Sequence, residues 1–301
     1  MSGRKTVLTA GWLGLSTLLQ VVVLVAVWWF AVRTEHGQLL DTIALTGNSI
    51  GQHRIVGVVG GVLNAVSLLS LLAATVVIGF IALIRGRIGL AVVTIVLIAG
   101  ANLTTQALKY VIERPDFGID PERAAAGNSL PSGHTTVAAS VAIALVMVLP
   151  PRLRGLGALL GAGYAAAAGV ATLSAGWHRP SDAVAALLVV GAWGSLASLV
   201  LLLVQGDTVQ VEPGDGHLVV RNVLAIGGLV LVVAAAVAIG WTDGERMTPI
   251  EEFGRRRLLV AYAGSAAGIA GTAALVMALV LRTVHRVVPR RINRPDPAAT
   301  E

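Results

Sequence analysis

The chain has 301 residues, of which 55% are hydrophobic and only 13% are charged, against roughly 25% charged in soluble domains. That composition excludes an ordinary soluble domain and points to an integral membrane protein, and the absence of cysteine removes disulfides, thiolate nucleophiles and thiolate metal sites from consideration. The net charge of +6 arises from basic residues beside apolar stretches or in the C-terminal tail, so anionic lipid headgroups, and not nucleic acid, are their expected partners.

A hydrocarbon core about 30 Å thick takes roughly 20 apolar residues per helix. On that measure eight spans are predicted, over residues 7–32, 57–84, 88–108, 135–149, 156–175, 183–204, 219–241 and 258–281. The first follows Arg4 and Lys5 but is too long for a signal-peptide core and is followed by no convincing cleavage site, so it reads as a retained anchor. In the loop 33–56, Leu39, Leu40 and Ile43 suggest a short interfacial helix with no assigned role. The fourth span is the shortest and gains full length only by extending back through His134. Small residues recur four apart at Gly157, Gly161, Ala165 and Gly169, and again at Gly264 and Gly268, a spacing that permits close helix approach but that an Ala- and Gly-rich chain also yields by chance.

The expected fold class is all-α, a polytopic membrane helix bundle. A six-span core over residues 1–204 is followed by a polar linker at 205–218, a two-span appendage at 219–281, and a basic cytoplasmic tail at 282–301, expected to be disordered beyond Arg291.

Lys and Arg in short loops set the orientation. Arg4 with Lys5, Arg85 with Arg87, Arg152 with Arg154, and Arg282 through Arg294 all fall on one side in an eight-span count, which places both termini in the cytoplasm of a cell-membrane protein. The loop 241–257, with Arg246, Arg255, Arg256 and Arg257, runs against this count. Three polar segments, Lys109 to Pro115, Pro131 to His134 and His178 to Asp182, then share the extracytoplasmic face.

Their chemistry suits an anion. His178 and Asp182 are four apart, so one helical turn brings them to a common face, where the carboxylate would accept the Nδ1 proton and leave Nε2 as a lone pair, a nucleophile or general base. Pro180 fits the first turn of such a helix. In Pro131-Ser132-Gly133-His134 a capping Ser and a Gly open a helix whose free N–H groups could face an anion. Lys109 and Arg114 add cationic donors suited to phosphate. Seen alone, Lys109 and Arg114 read as snorkelling residues, and His36, His53, His217 and His285 as solvated interfacial ones. Trp28, Trp29, Trp177 and Trp241 read as membrane-belt aromatics.

At these residues the sequence resembles the type 2 phosphatidic acid phosphatase family, membrane relatives of the vanadium haloperoxidases, whose three motifs are Lys-X6-Arg-Pro, Pro-Ser-Gly-His and Ser-Arg-X5-His-X3-Asp on a six-helix core. Pro131 to His134 matches the second motif throughout, and His178 with Asp182 matches the end of the third. The resemblance spans roughly residues 100–190. It implies that His178 forms a phosphohistidine, that Asp182 orients it and that His134 is the general acid. Lys109, Ser132 and the Gly133 backbone would bind phosphate. The chain departs from the pattern twice. The first motif's spacing lands on Asp116 and Phe117, with Arg114-Pro115 two residues early, and the third motif's Ser-Arg falls on Ala171 and Thr172. Arg114 is the candidate replacement for the first arginine, and Arg179 or Arg123 for the second.

The sequence thus points to a metal-independent phosphatase without cofactor. It would act on a lipid phosphate or diphosphate (isoprenoid, phosphatidic acid or phosphatidylglycerol phosphate) reached by lateral diffusion, with no obligate protein partner evident. The alternative is a non-catalytic lipid-phosphate binder or transporter that keeps the phosphate cradle; a haloperoxidase activity fits eight spans poorly.

Overall fold

The computed structural model describes residues 3–49, 52–120, 127–205, 217–243 and 254–288, and every regular element among them is helical. Arg123, most of the polar linker, most of the loop 241–257 and the tail from 289 onward lie outside the described residues. Ten α-helices are described: α1 (Gly3–Arg33), α2 (Glu35–Thr46), α3 (Gln52–Ala65), α4 (Leu68–Ile84), α5 (Ile88–Val111), α6 (Gly133–Val148), α7 (Arg154–Ser174), α8 (Pro180–Gln205), α9 (Leu218–Asp243) and α10 (Arg255–Val287).

Six of these, α1, α5, α7, α8, α9 and α10, are long and apolar enough to cross a membrane, and the chain is a polytopic all-α bundle. The predicted span 57–84 is instead a broken pair, with α3 and α4 meeting at about 50°. The break has a local cause. Ser67 caps α4 by accepting from Ser70 N at 3.2 Å, while Ser70 Oγ accepts from Ser67 N at 2.9 Å, a reciprocal box that starts a new helix. The predicted fourth span is α6, whose 16 residues make it short for a crossing; it does begin ahead of His134, at Gly133. The helix suggested by Leu39, Leu40 and Ile43 is α2.

The most enclosed helix is α8, a run of small residues with Ala183, Ala185, Ala186 and Val190 fully buried. Helices α1, α4 and α9 turn Leu18, Val22, Leu72, Val76, Val223 and Ile226 outward, an apolar exterior suited to lipid. Small residues set the packing of α9 on α10. A Cβ at Gly264 would collide with Ala238, and one at Gly271 would lie 2.7 Å from Gly228 O, so backbones approach where side chains are absent. In α7 a Cβ on Gly161 would come within 3.2 Å of Ala142, and one on Gly169 within 2.7 Å of Ile269. Helix α10 also adds Ile269, Met277 and Leu281 to the buried cluster shared by α6, α7 and α8.

The two ends of the bundle differ. At one, Arg85 donates to Val148 O at 2.6 Å and Arg154 to Val288 O at 3.3 Å, so basic side chains cap the carbonyl ends of α6 and α10. At the other, where α5 and α7 end and α6 and α8 begin, the three polar segments meet.

Candidate active site

The first segment leaves α5 at Val111, and Pro115 keeps the preceding Arg114 out of helical geometry. Lys109 remains in the last turn of α5, with Gln106 one turn earlier on the same face. A Cβ placed on Gly133 would lie 3.8 Å from Lys109 Nζ and 4.0 Å from Gln106 Nε2. The missing side chain therefore leaves a gap bounded by an ammonium, an amide and the first N–H groups of α6, the donor set an anion requires.

The second segment opens α6 through its cap. Ser132, fully buried, accepts from Thr135 N at 3.4 Å and from Thr135 Oγ1 at 3.0 Å, so this predicted phosphate ligand is engaged in starting the helix. Its own N–H donates to Asp182 O at 2.9 Å, which ties the second segment to the third.

The third segment turns back at Gly176, whose φ of +73° suits glycine. Trp177 N and His178 N both donate to Thr172 O, at 3.0 and 3.2 Å, so the residue standing at the family's arginine position closes this turn. Thr172 is fully buried, and its hydroxyl donates to Gly169 O at 2.8 Å. One helical turn separates His178 from Asp182, and Nδ1 meets Oδ2 at 3.1 Å. The same oxygen accepts from Ser129 Oγ at 2.7 Å and from Arg179 N at 3.0 Å, the latter a carboxylate reaching back over the start of α8.

Arg114 and Arg179, the candidate replacement arginines among the described residues, sit against carboxylates. Arg114, its side chain 3% exposed, places Nη2 3.7 Å from Asp182 Oδ1 and donates from Nη1 to Ala31 O at 3.1 Å. Burial holds its guanidinium below the usual arginine pKa, with Asp182 acting in the other direction. Arg179 places Nη2 3.7 Å from Asp120 Oδ2. Arg114 Nε and Nη2, Arg179 Nε and Asp182 Oδ1 are buried without a hydrogen-bond partner.

The imidazoles share this end of the bundle. The His134 ring lies 5.4 Å from that of Trp177, the neighbour of His178, and His134 is within electrostatic reach of both His178 and Lys109. The structure thus brings Lys109, Gly133, His134, His178 and Asp182 around one region, with Ser132, Arg114 and Arg179 as its buried framework. His36, His217 and His285 pair instead with Asp243, Pro151 O and Leu281 O. Among the described residues no group of three or more His, Asp or Glu could hold a metal ion.

Residues 90–206 match the family model described as PAP2 superfamily. This segment is similar to the PAP2 superfamily. No curated protein and no solved structure matches the chain. The PAP2 segment runs from α5 to the end of α8 and holds all three polar segments, in agreement with the resemblance read from their motifs. A match to this superfamily implies a phosphatase acting on phosphate esters. Helices α1 to α4, α9 and α10 lie outside the match.

Gln106, Ser129, Asp120 and Asp41 were not singled out by the sequence. Gln106 was accessible, being three residues before Lys109 on a predicted helix. Ser129 and Asp120 belong to segments without periodicity, and Asp41 lies on the suggested helix of the loop 33–56, where no spacing rule points to Ser181.

Proposed function

We propose that the protein is an integral-membrane phosphatase that hydrolyses a lipid phosphate or diphosphate at the extracytoplasmic face through a phosphohistidine. The observation that carries the reading is the His178–Asp182 pair standing beside the Lys109–Gly133 gap, with His134 in electrostatic range. In this scheme Asp182 holds the Nδ1 proton of His178, and Nε2 attacks phosphorus. The bond from phosphorus to the ester oxygen breaks as protonated His134 gives its proton to that oxygen. His134, now neutral, takes a proton from water, whose oxygen attacks the phosphohistidine; the P–N bond breaks and phosphate leaves. Lys109, Gln106 and the amides at the start of α6 neutralise the charge on the phosphoryl oxygens.

A lipid substrate is supported by a groove of about 480 Å³ between α4, α6 and α7. Its wall on α6 is Val137, Val141, Leu145 and Leu149, which continue the helical stripe that His134 heads. A hydrocarbon tail laid there would leave its headgroup at the site. An extracytoplasmic site is supported by the basic side chains at the opposite end of the bundle. One observation favours the alternative of a non-catalytic binder: the family's third-motif arginine is replaced by the buried Thr172.

The test is release of inorganic phosphate in detergent, with chelator present, from phosphatidic acid, phosphatidylglycerol phosphate and isoprenoid phosphate and diphosphate. Chelator-resistant release that disappears in His178→Ala supports the enzyme. Equal background in both proteins leaves only binding.

A further inference from the structure

Helix α2 and the turn that follows it lie outside the PAP2 segment, yet together they touch the framework of the site at three points. Gln38 Nε2 donates to Pro115 O at 2.9 Å and to Val32 O at 2.8 Å, joining the loop that carries Arg114 to the end of α1. Asp41 receives Ser181 N on Oδ1 at 3.3 Å and the Ser181 hydroxyl on Oδ2. Just beyond the helix, Asn48 Nδ2 donates to Leu173 O at 3.4 Å, in the last turn before the bend that presents His178.

The residue that Asp41 grips is telling. Ser181 is the second residue of α8 and the immediate neighbour of Asp182, and its N–H belongs to the set that a helix leaves unsatisfied at its start. A carboxylate from another helix takes that N–H and the side chain together, so the first turn of α8 is capped in trans. The next residue supplies the oxygen that receives His178 Nδ1. Gln38 and Asp41 are three apart and share one face of α2, while Leu39 and Ile43, turned away from it, pack with Leu258 and Ala261 of α10. At Gly47 a Cβ would collide with Leu258 O, and His36 Nε2 pairs with Asp243 of α9 at 3.1 Å. The last two helices thus hold α2 from behind.

A carboxylate is a costly choice for this post. Burial pushes the carboxyl up to about 6, outweighing the hydrogen bond from Ser181; the charge of Asp182 acts with burial, and those of Arg114 and Arg179 act against it. An amide could satisfy the same partners without a buried charge.

We infer that α2 is a positioning element of the phosphatase site, with Asp41 fixing the first turn of α8 so that Asp182 stays aligned on His178. This rests on the phosphatase reading, and its test separates the two. In the full-length protein in detergent, Asp41→Ala is expected to lower kcat for lipid-phosphate release at least ~10-fold with KM within about 2-fold, and to shift the pH–rate limb governed by His178. Asp41→Asn, which retains both contacts, is expected to restore kcat to within about 3-fold of wild type and covers the case in which the alanine variant does not fold. A lower melting temperature with kcat per folded protein and pH profile both unchanged would mean that α2 is structural only, and would overturn the inference. Should wild type release no phosphate from any lipid, the phosphatase reading fails by itself. Heteronuclear NMR titration of His178 then decides the role of α2, since an unchanged tautomer and midpoint in Asp41→Ala overturns it and a displaced one upholds it.

Discussion

Asp182 Oδ2 lies 3.1 Å from His178 Nδ1, one turn along a helix that begins at Pro180, between the two residues. Three donors converge on that single oxygen while Arg114 stands 3.7 Å from the other. The carboxylate thus serves both the imidazole and the buried guanidinium. Asp182→Asn removes the charge that both require. We expect kcat to fall at least ~100-fold, the scale of a lost general acid–base arrangement. The melting temperature should fall as well, because Arg114 is left as a buried cation without its counter-charge. Phosphate release and thermal unfolding, measured on one preparation, check both; a variant with wild-type turnover excludes Asp182 from the reaction.

Ser129 Oγ donates to Asp182 Oδ2 at 2.7 Å. A hydrogen bond to a charged acceptor contributes about 1.5–3 kcal/mol, so Ser129→Ala should cost roughly 10-fold in kcat, well short of Asp182→Asn. Because both act through one oxygen, their effects should not add. A double-mutant cycle with no coupling between positions 129 and 182 would contradict this arrangement.

Gly133 offers a test of the gap itself. A Cβ there would meet Lys109 Nζ at 3.8 Å, an ordinary contact, so Gly133→Ala should fold with a melting temperature within about 4 °C of wild type. The methyl group would occupy the space assigned to phosphate, so KM and inhibition by vanadate, a phosphate mimic, should both weaken. Unchanged vanadate inhibition would place the anion elsewhere.

Much of this arrangement is written in local sequence. Ser132 before Gly133, and Pro180 between His178 and Asp182, are helix-start signals whose consequences follow within one turn, so the cap of α6 and the imidazole–carboxylate pair were readable. Apolar length located α1, α5, α7, α8, α9 and α10 for the same reason. The break between α3 and α4 was missed because hydropathy averages over Ser67 and Ser70, where a reciprocal cap outweighs apolar continuity. Partners distant in the chain, such as Asp41 with Ser181 or Gln38 with Pro115, leave no trace in spacing, since they arise only when α2 folds over the site. The small residues of α9 and α10 were visible, but their meaning was settled only by the closeness of Gly271 to Gly228.

The Asp41 carboxyl gives a dependence on pH whose direction is fixed. Burial pushes its pKa up to about 6 in the fold against an ordinary 3.8, so the folded state holds the proton more tightly than the unfolded chain. The contribution to stability is complete below pH 3.8, declines as the pH rises through 6, and is then lost. The difference between the two values corresponds to about 3 kcal/mol. Asp41→Asn carries no titrating proton, so the wild-type melting temperature should fall relative to that of the variant between pH 4 and pH 7, and the gap should level off above. Turnover should move the other way in this comparison, with wild type at least as active as Asn where the carboxylate is charged. Melting curves for the two proteins that run parallel across this range would show that Asp41 titrates at its ordinary value, and that its place beside Ser181 is wetter than its burial indicates.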